Sequence, residues 1–409
     1  MNGRRASVLL ASLATTVCLL LAGCTAVPSV AGRAEVGAEV TTPPMGWNSW
    51  NHFGCSVTEA DVRAAADAIA ADGLRAAGYT FVNVDDCWQD PTRDSSGRLR
   101  ANRERFPHGI AALAAYVHSK GLHFGLYAAP GRQTCAERYQ GYPGSVGSFG
   151  HVEQDARIFA AWGVDYLKYD WCAADRDGVG HEQAFAQMRA ALDATGRRIV
   201  FSIHDKPEQP APAWRHWVAD LSRTTPDIQD SWSSVVSIVR STLASGTTHV
   251  SGYWNDPDML EVGNSGMSDT EQRSHFALWA ELSAPLLMGN DLSKASRATR
   301  DILGNTRIIA VDQDVLGAHP VTVAASSDHA LVLAKPLADG GIAVTITALD
   351  ATTSSISVSS RALGLGGASS GDDLETGERV TFGSTITVNL DGHATAMYTL
   401  LPHTSVPSS

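Results

Sequence analysis

The sequence predicts an α/β chain, a (β/α)8 TIM barrel followed by a C-terminal antiparallel β-sandwich. Two observations carry that prediction. From about residue 45 to 318, short apolar strands alternate with amphipathic helical segments, the pattern of parallel βα units. After Gly317 the helical period disappears, and β-rich segments follow one another between Gly, Ser and Asp. Eight strands in the first region favour a closed barrel over a doubly wound sheet, and no glycine-rich phosphate loop follows the first of them.

In order, the barrel strands fall at Met45–Trp50, Tyr79–Asp85, His123–Ala128, Tyr166–Asp170, Ile199–Ile203, Thr225–Ile228, Val250–Trp254 and Leu286–Met288. Helical periodicity places helices at Glu59–Ala77, Ile110–Lys120, Val152–Trp162 and Glu182–Ala194. The sandwich strands fall at Val321–Ala325, Ala330–Ala334, Ile342–Ala348, Ile356–Val358, Thr385–Leu390 and Ala394–Leu400, with a Gly/Ser-rich loop at 364–371. The division is then a signal over 1–23, a tether over 24–40, a barrel over 41–318 and a sandwich over 319–409.

Arg4 and Arg5 precede an apolar run from Val8 to Ala22, an export signal rather than a membrane span, since Ser12, Thr15 and Thr16 interrupt it. Leu21-Ala22-Gly23-Cys24 resembles a bacterial lipobox. That resemblance implies a lipid on Cys24 and a chain exported to the cell surface, held to the membrane only by that anchor or else secreted. The compartment permits disulfides. With 31 Lys and Arg against 43 Asp and Glu, the net charge of −12 argues against nucleic acid, whose phosphates need a concentrated basic face. The sequence holds no cofactor fingerprint, and oligomeric state leaves no mark in it.

Active sites of barrels are built at the C-terminal ends of the strands. There the sequence carries Asp85-Asp86, Tyr127, Lys168 and Asp170, His204-Asp205, Arg223 and Asp227, Asp256 and Asp258, and Asn290-Asp291. Any one Asp could be an ordinary turn former or helix cap. Charge at almost every strand end is a different matter. Lys168 and Asp170 lie two apart in a strand and share a face, so the ammonium keeps the carboxylate ionised. Asp227 would complement it by holding a proton in a less polar setting. Two such carboxyls suffice for glycoside hydrolysis. Asp256-Pro257-Asp258 and His204-Asp205 could supply metal ligands, but no metal-motif spacing appears, so the expected site has no metal. Trp47, Trp50, Trp88, Trp171 and Trp254 sit near strand ends, and a ring face suits the C–H side of a pyranose; core packing is the alternative for two or three of them.

Met45-Gly46-Trp47-Asn48-Ser49-Trp50, Val84-Asp85-Asp86-Cys87-Trp88, Leu167-Lys168-Tyr169-Asp170, Arg223-Thr224-Thr225-Pro226-Asp227-Ile228 and Trp254-Asn255-Asp256-Pro257-Asp258-Met259-Leu260 resemble glycoside hydrolase family 27. Ala284 to Leu292 and Asp312-Gln313-Asp314 continue the match, which runs in order from 45 to about 318. The resemblance implies a retaining enzyme that releases terminal α-galactose from an α-galactoside. Asp170 would be the nucleophile and Asp227 the general acid/base. Asp85 and Asp86 would hold the 4- and 6-hydroxyls, Lys168 the 3- and 4-hydroxyls, and Arg223 the 2- and 3-hydroxyls. Trp47 would wall the sugar, with Tyr127 and Asp258 nearby. The family also pairs Cys55 with Cys87 and Cys135 with Cys172.

Three departures bear on the substrate. Ile203-His204-Asp205 stands where the family usually has Cys-Glu-Trp, beside the sugar's 2-substituent, and the partner cysteine expected near Ala219 is missing too. Ser222 replaces a Trp before the arginine, and Trp171 follows the nucleophile where Gly or Asn is common. His204 and Asp205 could therefore bind a 2-hydroxyl, or form a His–Asp pair that props the loop. The segment lacks the small residues that admit an N-acetyl group, and Asp86 favours a sugar with a 6-hydroxyl. These features disfavour α-N-acetylgalactosaminidase and β-L-arabinopyranosidase specificity. Isomalto-oligosaccharide release stays open, as does a non-catalytic sugar-binding lipoprotein, although binding alone needs no acid and nucleophile across one bond.

Overall fold

Short β-branched and aromatic runs form eight parallel strands in the computed structural model, which describes residues 40–172, 174–205, 212–245 and 250–402. They are β1 (Met45–Asn48), β2 (Phe81–Asn83), β3 (His123–Ala128), β4 (Tyr166–Asp170), β5 (Val200–His204), β6 (Leu221–Arg223), β7 (Trp254–Asp256) and β8 (Leu286–Met288). The order β7-β6-β5-β4-β3-β2-β1-β8 is sequential, as right-handed βα units require. Leu260, just past β7, bridges in parallel to Met288 of β8 and closes the ring. Helices cover the outside and their apolar stripes pack on the strands in one large core, while Tyr166, Val200, Leu221 and Trp254 of the strands form a separate cluster. The expected signal over 1–23 and the lipidated Cys24 lie outside the described residues, as does the tether up to residue 39.

Several element boundaries differ from expectation. The helix expected over Glu59–Ala77 is two, Glu59–Ala71 and Leu74–Ala77, because Gly73 between them takes the left-handed conformation. The sixth strand is Leu221–Arg223 rather than Thr225–Ile228. Pro226 has no N–H to give a ladder, so the β-branched run around it becomes loop. The seventh strand begins, rather than ends, at Trp254, whose indole donates to the Val40 carbonyl at 2.9 Å.

The C-terminal region is a six-stranded antiparallel sheet and a two-stranded one. The strands are β9 (Val321–Thr322), β10 (Ala330–Pro336), β11 (Ile342–Ala348), β12 (Ser354–Ser359), β13 (Ser369–Asp373), β14 (Arg379–Phe382), β15 (Thr385–Leu390) and β16 (Thr395–Pro402). They are ordered β14-β13-β16-β11-β10-β9 and β12-β15. The expected loop over 364–371 yields its last three residues to β13. Gly371 belongs there because a Cβ would sit 1.6 Å from the Thr399 carbonyl on β16. Alternation along β10 divides it between two cores: Val332 and Ala334 face the sandwich interior, while Leu331 and Leu333 pack into the barrel's core.

Candidate active site

Register assembles the site. Tyr127 of β3 pairs with Lys168 of β4, and Asp170 pairs with His204 of β5. Residues level with each other on neighbouring parallel strands project to the same side, so these four side chains converge. Asp170 accepts from the Tyr127 hydroxyl at 3.3 Å on one oxygen, and His204 Nδ1 lies 3.3 Å from the other. Burial alone would raise the Asp170 carboxyl. His204, Lys168 and Arg223 together overcome that and hold it down at about 2.

Asp85 and Asp86 follow β2 and are buried. The Asp85 carboxylate accepts from Lys168 Nζ at 2.8 Å and from Asn48 Nδ2 at 2.7 Å. Asp86 accepts from the backbone N–H groups of Cys87 at 2.7 Å and Ala136 at 2.8 Å. Burial, helped by the charge of Asp85, still pushes the Asp86 carboxyl up to about 7.

Across the cavity Arg223, the last residue of β6, reaches Asp227 at 3.0 Å and Asp258 at 3.0 Å. Asp258 also accepts from the Ile228 N–H at 2.8 Å, tying the loops after β6 and β7 together. The less polar setting expected for Asp227 is not what the structure holds. β6 stops at Arg223, four residues earlier, and leaves the Asp227 side chain 77% exposed beside the guanidinium. Desolvation by its surroundings acts upward, but Arg223, His204 and Lys168 win and keep its pKa below the ordinary carboxylate value.

Two disulfides frame the cavity, Cys55–Cys87 with Cα atoms 5.0 Å apart and Cys135–Cys172 at 4.8 Å. Cys87, Cys172 and Asp258 all carry left-handed backbone, with φ of 73°, 45° and 92°. Such strain in non-glycine residues gathers where a surrounding scaffold enforces it. Cys135, Asp170 and Cys172 bring ligand-type atoms within 4.8 Å of one another, but both sulfurs are bonded together, so no thiolate is offered to a metal.

One cavity of about 600 Å³ is lined by Asp85, Asp86, Tyr127, Lys168, Asp170, His204, Asp205, Arg223, Asp227 and Asp258. Trp47 is not on its wall. It is fully buried, its indole donating to the Asn290 carbonyl at 2.8 Å, and Trp50 and Trp171 take the lining positions. Trp88 is likewise core, edge-on to Trp162. Asp291 proves to be a helix cap, accepting from Ser293 N–H at 3.1 Å. Of the two arrangements open to His204 and Asp205, the His–Asp pair does not form. His204 turns to Asp170, whereas Asp205 makes a two-point ion pair with buried Arg215, at 2.7 and 3.1 Å. Sequence reasoning passed over Arg215, Asn48 and Tyr139, the last a residue of the cavity wall. An arginine inside the apolar stretch Ala213-Trp214-Arg215-His216-Trp217-Val218 was the one available signal, because a buried guanidinium needs a carboxylate partner.

Residues 42–314 match the family model described as alpha galactosidase A, and residues 327–400 match the alpha galactosidase C-terminal beta sandwich domain. The chain is 43% identical to an alpha-galactosidase of Cyamopsis tetragonoloba over 364 residues, covering 88% of this chain and 86% of that one. It is 41% identical to an alpha-N-acetylgalactosaminidase of Gallus gallus over 323 residues, 74% of this chain and 78% of that one. The crystal structure of alpha-galactosidase I from Mortierella vinacea superposes with a TM-score of 0.81 at 29% identity, over 91% of this chain and 100% of that one.

Proposed function

The chain belongs to glycoside hydrolase family 27, the α-galactosidase family, and from that premise we propose that it releases terminal α-linked galactose with retained configuration. The observation that carries the reading is Asp170, a buried carboxylate kept ionised at about 2 by the cations around it, facing a cavity whose other edge bears Asp227. A nucleophile must stay ionised while buried, and the lowered pKa of Asp170 supports that role for it.

In the first step an Asp170 oxygen attacks the anomeric carbon. The bond from that carbon to the leaving oxygen breaks, and Asp227 gives that oxygen its proton. In the second step water gives a proton to Asp227 and its oxygen bonds to the anomeric carbon, breaking the ester to Asp170. A bound glycoside would strip water from Asp227 and raise its pKa, turning an exposed carboxylate into an acid. Asp85 and Lys168, already joined, would share the 3- and 4-hydroxyls, and Asp86 the 6-hydroxyl. Arg223 would reach the 2- and 3-hydroxyls from beside Asp258. Export through the Arg4–Cys24 segment, with a lipid on Cys24, is part of the same proposal and rests on the lipobox pattern.

The test is hydrolysis of a p-nitrophenyl glycoside panel: α-galactose, α-N-acetylgalactosamine, β-L-arabinopyranose and α-glucose. The α-galactoside should be cut fastest, and Asp170→Asn should lose at least about a thousandfold in kcat. Asp227→Asn should lose less on this activated leaving group than on melibiose, because p-nitrophenolate departs without a proton. Binding with no turnover of any glycoside would favour a sugar-binding protein instead.

A further inference from the structure

The disulfide Cys135–Cys172 forms part of the catalytic cavity's wall, and Asp170 stands beside it. Two sulfurs and a carboxylate oxygen thus lie within 4.8 Å of one another. We infer that opening this disulfide creates a site for a thiophilic divalent cation, such as Zn²⁺, held by Cys135, Cys172 and Asp170. Occupation would block Asp170, and that consequence alone rests on the function proposed above.

The sulfurs are within a reductant's reach. Both cysteines line the cavity of about 600 Å³, whereas Cys55 and Cys87 do not, and Cys87 is fully buried. A water-soluble phosphine would therefore meet Cys135–Cys172 first. Phosphorus gives its electron pair to one sulfur and the S–S bond breaks. Water then supplies the oxygen that ends on phosphorus and the two protons that the sulfurs take. A bound cation displaces both thiol protons.

Neither cysteine owes its place to the sulfur bond. Cys135 opens the helix Cys135–Tyr139, which the Thr134 side chain caps by accepting from the Glu137 N–H at 3.3 Å. Its own N–H donates to the Tyr127 hydroxyl at 3.3 Å, and the next N–H, of Ala136, is fixed to Asp86. On the other side, Trp171 N–H donates to the His204 carbonyl at 2.8 Å, and the Trp171 carbonyl accepts from Ala174 at 3.0 Å. The ligands would stay gathered once the bond is open.

Geometry and charge fit the ion. Zn²⁺ takes thiolates at about 2.3 Å and carboxylate oxygens at about 2.0–2.2 Å, so its tetrahedral ligands lie roughly 3.5–3.8 Å apart. Parting the sulfurs and turning the Asp170 carboxyl brings the present spread to that value, with water in the fourth place. Two thiolates select a soft cation over Mg²⁺ or Ca²⁺. Seven aspartates line the cavity against Lys168, Arg176 and Arg223, so the wall attracts positive charge. The Tyr127 hydroxyl, 3.1 Å from Cys172 Sγ and 3.3 Å from Asp170, would orient two of the three ligands.

The experiment treats the full, disulfide-intact protein with tris(carboxyethyl)phosphine until two further thiols per chain titrate, and then adds Co²⁺ as a coloured stand-in for Zn²⁺. One Co²⁺ per chain should bind with the near-ultraviolet band of a cobalt thiolate, absent before reduction and bleached by Zn²⁺. Asp170→Asn, reduced to the same thiol count, should bind about tenfold or more weakly. Zn²⁺ should also stop the reduced protein from cutting p-nitrophenyl α-galactoside, EDTA should restore it, and the unreduced protein should not respond. No cobalt band, equal affinity in Asp170→Asn, or a band that persists in the double variant Cys135→Ser and Cys172→Ser overturns the metal site and leaves the α-galactosidase reading intact. The expected band in a protein that cuts no α-galactoside before reduction overturns that reading and leaves the metal site standing.

Discussion

His204 is where this chain departs most consequentially from its family's pattern, and the structure gives that departure a physical role. Its imidazole lies 3.3 Å from one oxygen of Asp170, while Tyr127 holds the other at 3.3 Å. Desolvation pushes Asp170 upward, and His204 is the strongest influence against it, ahead of Lys168 and Arg223. In the nucleophile's role proposed for it, Asp170 must be ionised, so activity should be present above its pKa and be lost as pH falls through it. Taking the imidazole away raises that pKa, and the loss must begin at higher pH. His204→Leu should therefore move the acid limb of kcat/KM upward by about one pH unit. His204→Gln, which keeps a donor but no charge, should fall between it and the wild type. A pH profile with the same acid limb in all three proteins would show that the imidazole does not hold Asp170 ionised. Asp205 sets a contrast one position along. Burial pushes its carboxyl up despite the opposing charge of Arg215, and it serves that pair rather than Asp170.

At the scale of elements, legibility followed periodicity. β3, β4, β8, β11 and β15 have the limits their apolar patterns announce, because each is bounded by Gly, Pro, Asp or a charged turn. β6 lies ahead of its β-branched run because Leu221-Ser222-Arg223 looks less like a strand than Thr224-Thr225, and only Pro226 argues otherwise. The charged residues of the site were legible since they stand at strand ends. Which of them touch was not, because contact depends on register and side-chain direction; His204 meeting Asp170, and not Asp205, is such a case. The face that β10 turns to the barrel was equally hidden. Lys335 lies on it two residues after Leu333, is buried, and donates to the carbonyls of Ala280 at 2.8 Å and Val311 at 2.8 Å and to Ser283 Oγ at 3.0 Å. Burial pushes Glu281 up to about 7 and Asp312 to about 8 at this seam, with Lys335 opposing. Both pKa values exceed those of the unfolded chain, so the folded state keeps protons that the unfolded state has lost. Stability must then fall as pH rises from the ordinary carboxylate range toward 8. Glu281→Gln removes one of these protons from the balance and should flatten the decline of Tm between pH 5 and 8. An unchanged slope would mean the carboxyl is ionised in the fold. Lys335→Met, which leaves the buried Ala280 and Val311 carbonyls and Ser283 without their donor, should cost about 3 kcal/mol by chemical denaturation.

Taken whole, the molecule has two structural layers but no clean border between their cores. Leu331, Leu333, Leu337, Leu374 and Met397 of the sandwich belong to the barrel's apolar core, and a smaller core lies inside the sandwich itself. Polar ties reinforce the seam: Ser274 donates to the His393 carbonyl at 2.6 Å, and Asn305 and Arg307 donate to the Leu374 carbonyl, each at 2.9 Å. Parting the two layers would return those five side chains to water, at about 2 kcal/mol each, or on the order of 10 kcal/mol in all. That equals the entire stability of a typical domain, so no state with one layer folded and the other melted should be populated. Calorimetry should record a single transition whose van't Hoff and calorimetric enthalpies agree, in a protein with both disulfides intact. A chain ended after Gly317 should be insoluble or expose apolar surface to a dye, since Glu281, Asp312 and the helix Asp269–Glu281 lose the sheet that covers them. Two resolved transitions, or a soluble and cooperatively folding barrel from the shortened chain, would mean the sandwich is an appendage. The shared core predicts the opposite: the sheet completes the wall of the barrel, and the catalytic strand ends are held in register only while it is in place.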